Sequence, residues 1–146
     1  MMLITFDKDM ELDNELIDAQ HRMLIMLLKK LDVALKQQLP HKVVMGILLE
    51  IKKFTEFHFL SEENLMYELK YPEVTRHEKI HSGLLFQLDV IIAKVNRKQM
   101  FADETLDMLY KWVTAHAMHE DAKIVDYIKR QGFLPVGEKQ HGLYSG

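Results

Sequence analysis

The sequence predicts an all-α fold, an up-down-up-down antiparallel four-helix bundle in a single domain of residues 1–146. Apolar residues recur at steps of three and four along four stretches, which is the spacing of one face of an α-helix. Short breaks at Pro40, Tyr71–Pro72 and Gln99–Asp103 separate the stretches, and helices with short connections pack as antiparallel neighbours. We expect a bundle over about residues 13–132, an extended N-terminal leader before it, and a short C-terminal tail at 133–146.

The first two predicted helices carry polar residues within an apolar face. The first begins at an N-cap, Asp13 or Asn14, and ends near Leu39. Its face consists of Ile17, His21, Leu24, Leu28, Leu31 and Leu35. The second runs from about His41 to Leu69. Its face consists of Val44, Ile47, Ile51, Phe54, His58, Glu62, Leu65 and Leu69.

The third and fourth predicted helices show the same pattern. The third begins at Thr75, whose hydroxyl and Glu78 three residues later form a capping box. Its face consists of His77, His81, Leu84, Leu88, Ile91 and Val95. The fourth ends at Gly132. Its face consists of Leu106, Leu109, Val113, His116, Ile124 and Ile128. Asp121 lies five residues beyond His116 and is therefore off this face.

Composition excludes several classes of function. The chain is 48% hydrophobic and 28% charged, the balance of an ordinary globular domain. Its net charge of −3 is small and evenly spread, so we expect no nucleic-acid partner. The absence of cysteine excludes disulfides, iron–sulfur clusters and thiolate zinc sites, so any metal must be bound by nitrogen and oxygen.

Nothing in the sequence predicts a membrane protein. The N-terminus acquires charges too early for a signal peptide. The longest apolar run, Val43–Leu49, is far shorter than the roughly 18 residues that a membrane span needs. We expect a cytoplasmic monomer without membrane insertion.

Seven polar residues on or near these faces are candidate metal ligands. Two pairs, His58 with Glu62 and His77 with His81, are spaced four residues apart, so each pair projects from one side of its helix. The other three candidates are His21, His116 and Asp121. Taken singly, a buried histidine more often bonds to a neighbour, and such pairs also occur on solvated faces. Together they would be costly to bury without a compensating cation, so the sequence favours a metal site.

The other candidate polar residues receive simpler interpretations. His41 opens a helix and His141 lies in the predicted tail. We interpret His119 as a surface residue or a partner of a ligand, and Glu63 and Glu120 as solvated charges. The ten methionines follow the apolar faces, which favours core packing over a copper site.

Four motifs carry the candidate ligands: IDAQH with His21, HFLSEE with His58 and Glu62, HEKIH with His77 and His81, and HAMHED with His116 and Asp121. In this spacing they resemble the hemerythrin family, specifically its single-domain bacterial form, over about Phe6 to Gly132. The resemblance implies two iron ions per chain (Fe²⁺/Fe³⁺), no haem, and bridges from Glu62, Asp121 and an oxo or hydroxide group. It also implies a division of the histidines: His77, His81 and His116 on one iron, and His21 and His58 on the other.

An open coordination position follows from this ligand set. Two octahedral irons offer about twelve positions, and five imidazoles, two bridging carboxylates and a bridging hydroxide fill about eleven of them. The vacancy then belongs to the iron that His21 and His58 bind.

The resemblance also implies an apolar dioxygen pocket that excludes water. The matching wall positions are Leu24, Phe59, Trp112, Val113 and Ala117. Two positions depart from the family pattern, because Phe6 stands where a tryptophan is usual and Ala117 where a bulkier aliphatic residue is common. We expect the smaller Ala117 to widen the pocket and shorten the lifetime of the dioxygen complex.

The function implied is reversible, non-enzymatic dioxygen binding, for storage or for delivery to an O₂-consuming partner enzyme. One alternative is a di-iron redox enzyme, such as a peroxide or nitric-oxide reductase. Carboxylate-rich enzymes of that kind supply Glu-x-x-His from two helices, and the candidate ligands contain no such motif. The other alternative is an O₂ or redox sensor, which would normally need an output domain, whereas only the tail follows Gly132.

Overall fold

The computed structural model describes residues 4–132, apart from the side chains of Ala102, Ala117 and Met118. The described helices are α1 (Glu15–Lys36), α2 (His41–Glu68), α3 (Val74–Asn96), α4 (Ala102–His116) and α5 (Ala122–Arg130). A π-helical segment, Ala117–Asp121, joins α4 to α5, and together these three segments form the fourth helix of the bundle. The predicted tail and His141 lie outside the described residues.

The helices pack as the predicted antiparallel bundle. Helix α1 packs against α2 and α4, and α3 packs against the same two helices, which closes the ring. The prediction of an all-α four-helix bundle is therefore confirmed. Among the described residues, no helix is both long enough and apolar enough to cross a bilayer.

The first three helices end in the same left-handed turn. Gln38, Lys70 and Lys98 have positive φ values of 52°, 54° and 58°. In each turn the next amide donates to the carbonyl five residues back, which is the Schellman arrangement. The turn at Gln38 ends α1 at Lys36, so the predicted end near Leu39 was wrong.

Two other local predictions were also wrong. Helix α3 begins at Val74, one residue before Thr75, and no side chain caps it. The capping box does not form because Thr75 lies inside the helix and Glu73 is the N-cap residue. The Glu78 carboxylate accepts a hydrogen bond from the Tyr67 hydroxyl, at 2.6 Å. The leader is not extended throughout, since Lys8–Met10 form a 3-10 turn.

The N-terminal segment is attached to the bundle by specific contacts. Asn14 caps α1, as predicted, by accepting a hydrogen bond from the Ile17 amide at 3.0 Å. Further upstream, Ile4 is buried in the core. The Tyr110 hydroxyl of α4 donates to the Thr5 carbonyl at 3.1 Å. The leader therefore covers the α1–α4 side of the bundle.

The buried apolar residues form two clusters at different heights in the bundle. The larger cluster consists of Ile4, Leu24, Ile25, Leu27, Leu28, Leu31, Ala34, Val44, Ile47, Leu48, Ile51, Leu88, Val95, Leu106, Leu109 and Val113. The smaller cluster consists of Ile17, Leu65, Met66, Leu69, Tyr71, Ile124, Val125 and Ile128. Along α1, α2 and the fourth helix, the residues between these clusters include the candidate ligands.

The larger cluster predicts a position-specific loss of stability. Leu48 is fully buried, whereas its neighbour Leu49 is 50% exposed. We expect Leu48→Ala to lower the free energy of unfolding by about 2–5 kcal/mol, because it leaves a cavity as well as removing buried apolar surface. Leu49→Ala is the matched control, with the same substitution in the same helix, and should cost less than about 1 kcal/mol. Urea unfolding of both variants measures the difference, and equal losses would contradict this description of the core.

Candidate metal centre

All seven predicted ligand residues meet inside the bundle, between the two apolar clusters. They come from every helix of the bundle: His21 from α1, His58 and Glu62 from α2, His77 and His81 from α3, and His116 and Asp121 from the fourth helix. Six of them are at most 2% exposed, and the His116 side chain is 8% exposed. The structure thus brings together the complete set of candidates.

The π-helical segment explains how Asp121 reaches this site. In an α-helix, residues five apart point in different directions, so the sequence pattern put Asp121 off the apolar face. A π turn bonds residue i to i+5 and contains one extra residue. Because the segment Ala117–Asp121 is π-helical, His116 and Asp121 both point inward. Their five-residue spacing was the only sequence signal for this turn.

The Asp121 carboxylate lies between two groups of histidines. Its Oδ2 atom lies 2.7 Å from His21 Nε2 and 3.3 Å from His58 Nε2. Its Oδ1 atom lies 3.3 Å from His77 Nε2 and 2.9 Å from His116 Nε2. Each oxygen therefore faces one group.

Glu62 repeats this arrangement. Its Oε2 atom lies 3.6 Å from His58 Nε2. Its Oε1 atom lies 3.1 Å from His81 Nε2, 3.5 Å from His77 Nε2 and 3.9 Å from His116 Nε2. The two carboxylates thus divide the histidines in the same way, into a two-histidine group (His21 and His58) and a three-histidine group (His77, His81 and His116).

These groups have the donor set and spacing of cation sites. All five histidines point Nε2 at the carboxylates. Within each group, ligand atoms can be chosen that lie within 4.8 Å of one another. Adjacent ligands of an octahedral divalent cation lie about 3 Å apart when the metal–ligand bonds are about 2.1 Å long. Imidazole nitrogen with carboxylate oxygen is a donor combination suited to iron.

The unsatisfied buried atoms of the described residues test this fit. Nine buried side-chain nitrogen or oxygen atoms have no hydrogen-bond partner, and eight of them belong to the candidate ligands. Six of those eight are carboxylate oxygens or histidine Nε2 atoms: Glu62 Oε1 and Oε2, Asp121 Oδ1, and Nε2 of His77, His81 and His116. A buried polar atom without a partner is costly. Cations between these atoms would remove that cost, so the residues fit metal ions.

The protein groups alone already limit the buried charge. Burial raises the pKa of the Glu62 carboxyl well above its ordinary value, and the negative charge of Asp121 adds to the effect. Burial opposes ionisation of Asp121 as well, but the nearby imidazole of His116 holds its pKa well below the usual range. Asp121 is therefore the more acidic carboxyl of the pair.

The histidine pKa values are displaced in opposite directions. Burial lowers the pKa of His58, and it lowers that of His81 to about 2. Burial acts the same way on His77, but the neighbouring carboxylates of Asp121 and Glu62 raise its pKa to about 9. His58 and His81 are thus neutral and able to bind metal at neutral pH. Cation binding would have to release the protons of His77 and Glu62.

Two polar residues that support the histidine rings were missed in the sequence. His58 donates from Nδ1 to Gln20 Oε1 at 2.7 Å, and His81 donates from Nδ1 to Glu63 Oε2 at 2.8 Å. Both bonds leave Nε2 as the inward-facing ligand atom. The prediction that Glu63 is a solvated charge was wrong, because its side chain is only 23% exposed and bonds to a candidate ligand.

Glu120 is also more than a solvated charge, contrary to the prediction. Its side chain is 17% exposed and accepts two hydrogen bonds from the Arg76 guanidinium, at 2.9 and 3.2 Å. These bonds lower the pKa of the Glu120 carboxyl. The pair connects α3 to the π-helical segment beside the site.

A small cavity opens next to the two-histidine group. It is lined by His21, Leu24, Thr55, His58, Phe59, Trp112, Val113 and His116. Its volume is about 10 Å³, close to what one water-sized molecule needs. Four of the five predicted pocket residues lie here, and the side chain of the fifth, Ala117, lies outside the described residues. Thr55 also lines the cavity and was not predicted; its hydroxyl donates to the Ile51 carbonyl of its own helix.

The other two histidines within residues 4–132 contribute nothing to this cluster. His119 and His41 are exposed, as expected for the simpler interpretations.

Phe59 supports a candidate ligand by stacking. Its ring lies on the ring of His81, with centroids 3.8 Å apart and planes 6° apart. Aromatic stacking thus fixes one face of that imidazole.

Comparison with known proteins agrees with this geometry. Residues 12–128 match the family model described as Hemerythrin HHE cation binding domain. Bacteriohemerythrin of Campylobacter jejuni subsp. jejuni is 28% identical over 86% of this chain and 95% of its own length. Bacteriohemerythrin of Stenotrophomonas maltophilia is 28% identical over 100% and 95%, and that of Pseudomonas aeruginosa is 25% identical over 97% and 92%. Because the family model covers most of the sequence, the chain belongs to the hemerythrin family of cation-binding domains.

Proposed function

We propose that the chain binds two iron ions and uses them to bind dioxygen reversibly, as a store or for delivery to an O₂-consuming enzyme. The observation that carries the proposal is the division of the ligand atoms by the two carboxylates. One oxygen of Asp121 and one of Glu62 face the two-histidine group, and the other two oxygens face the three-histidine group. Carboxylates arranged in this way are suited to bridging two ions.

In the proposed centre, one ion would be bound by His77, His81 and His116 and the other by His21 and His58. Glu62 and Asp121 would bridge them, together with an oxo or hydroxide group. Bound iron would supply the electrons that dioxygen takes up on binding and returns on release. His58 and His81 would supply neutral imidazoles, and their Nδ1 hydrogen bonds keep both rings in the required tautomer.

The cavity supports dioxygen as the ligand. It borders both members of the two-histidine group, which has one imidazole fewer than the other group. Most of its remaining walls are apolar, from Leu24, Phe59 and Val113, each at most 6% exposed. Walls of this kind exclude the water and protons that would otherwise leave the irons permanently oxidised.

The ligand set favours a carrier over an enzyme. Five imidazoles and two carboxylates carry less negative charge than the carboxylate-rich sets of di-iron enzymes on four-helix bundles. We therefore propose a non-enzymatic role. The similarity of this chain to three bacteriohemerythrins supports the proposal.

Anaerobic reconstitution with ferrous iron tests the proposed function directly. We expect two irons per chain by metal analysis, and a visible absorption change on exposure to air that reverses under argon. Added ascorbate should not be consumed during these cycles. Catalytic consumption of the reductant would favour the redox-enzyme alternative, and one iron per chain would overturn the di-iron proposal.

The two-histidine group predicts a selective effect of one substitution. We expect His58→Ala to lose most of the iron at that position and all dioxygen binding, because it removes one of only two imidazoles there. His119→Ala is the matched control, since His119 is an exposed histidine of the same bundle. It should retain both irons and the absorption change. Full iron content and an intact dioxygen spectrum in His58→Ala would refute the ligand assignment.

The cavity walls predict a second, separable effect. Leu24 lines the cavity, whereas Leu27 is buried in the same helix and core cluster without lining it. We expect Leu24→Ala to speed the oxidation of the dioxygen-bound protein several-fold, because the larger cavity admits water. Leu27→Ala should lower stability to a similar degree and leave that rate unchanged. Following the decay of the dioxygen absorption in both variants distinguishes the cases, and equal rates would count against the cavity.

A further inference from the structure

The two histidines with a hydrogen-bonded Nδ1 have chemically different acceptors. His81 donates to the carboxylate of Glu63 at 2.8 Å. His58 donates to the neutral amide oxygen of Gln20 at 2.7 Å. These histidines belong to different donor groups, so each of the two metal positions has its own acceptor behind one imidazole.

The Gln20 side chain is held in the orientation that this bond requires. It is 7% exposed, and its Nε2 atom donates to Ser61 Oγ at 2.9 Å. With Nε2 of the amide directed at the serine, the amide oxygen faces the Nδ1–H group of His58. A serine on α2 thus fixes a glutamine on α1, which in turn fixes the ring of a candidate ligand on α2.

A charged acceptor and a neutral acceptor affect an imidazole differently. A carboxylate draws the Nδ1 proton more strongly than an amide oxygen does, because hydrogen bonds to ionised groups are roughly twice as strong. The stronger pull makes Nε2 a better electron donor to a bound metal. An iron facing His81 therefore gains more electron density than an iron facing His58, which stabilises the ferric state at the three-histidine position.

We propose that Gln20 and Glu63 are positioning residues that make the two iron positions electronically unequal, with the two-histidine position the harder to oxidise. This inference rests on the proposed function, since it requires iron at both positions. The position beside the cavity is then the one that is more readily kept ferrous. A ferrous preference at that position favours release of dioxygen over permanent oxidation.

Exchanging the acceptor behind His58 tests the proposal. Gln20→Glu keeps the size of the side chain and replaces the amide by a carboxylate, to which the Ser61 hydroxyl can donate. We expect a more negative reduction potential in the iron-loaded protein, by about 59 mV for a tenfold shift in a one-electron equilibrium. In this titration each ferric ion takes one electron from an external reductant, and no protein bond is made or broken. Oxidation of the dioxygen-bound protein should become faster.

The converse variant and a charge control complete the experiment. Glu63→Gln should shift the potential in the positive direction by a similar amount and remains informative if Gln20→Glu does not fold. Asn64→Asp adds one negative charge at an exposed position next to Glu63 and should leave the potential unchanged. Gln20→Ala removes the acceptor and should weaken iron binding about 10–100-fold. Gln20→Glu keeps an acceptor for His58 and should therefore keep iron binding.

The outcomes separate this inference from the proposed function. Iron content of the unaltered chain is measured first, and fewer than two irons would overturn both. With two irons bound, an unchanged potential in Gln20→Glu or in Glu63→Gln overturns only the inequality of the two positions. A shift in Asn64→Asp as large as that in Gln20→Glu would also overturn it, because added charge rather than the hydrogen-bond acceptor would be the cause.

Discussion

The structure depends on charge compensation inside an apolar interior. Two carboxylates and five imidazoles lie between two apolar clusters, almost out of contact with solvent. Removing such groups from water is costly unless they pair with one another or with a cation. The protein pairs some of them itself, as in the 2.7 Å contact between His21 and Asp121, and leaves others without any partner. This incomplete pairing distinguishes a metal centre from an ordinary buried polar network, in which every group is satisfied.

Regular helix geometry positions most of the centre, and one irregularity completes it. The four-residue spacing on α2 and α3 places two pairs of side chains facing inward with no distortion of the backbone. The fourth helix cannot do this with a five-residue spacing, so it contains a π turn. The Arg76–Glu120 ion pair and the stacking of Phe59 on His81 hold neighbouring parts of the site together. Residues from all four helices of the bundle therefore hold the site in place.

The bundle and most of the candidate ligands could be predicted from the sequence, because both follow from α-helical periodicity. Polar side chains at positions that otherwise carry leucine or isoleucine, such as His58 and His81, stand out against that pattern. Gln20 and Glu63 could not be found in this way, because each lies next to a candidate ligand in the sequence and resembles a surface residue. The end of α1 was missed for a different reason, since Gln38 adopts a left-handed conformation that usually selects glycine. Rules that predict helix ends from glycine and proline do not find a left-handed residue of another type.

The unequal division of the apolar interior has a consequence for local stability. Among the described residues, sixteen buried side chains form one cluster and eight form the other, which includes the buried side chains of α5. Transient local opening of a protein begins where the least apolar surface must be exposed. Backbone amides near α5 should accordingly exchange their hydrogens sooner than those near Leu28 and Leu48. The end of the bundle with the smaller cluster is the weaker of the two barriers between bulk water and the seven converging side chains.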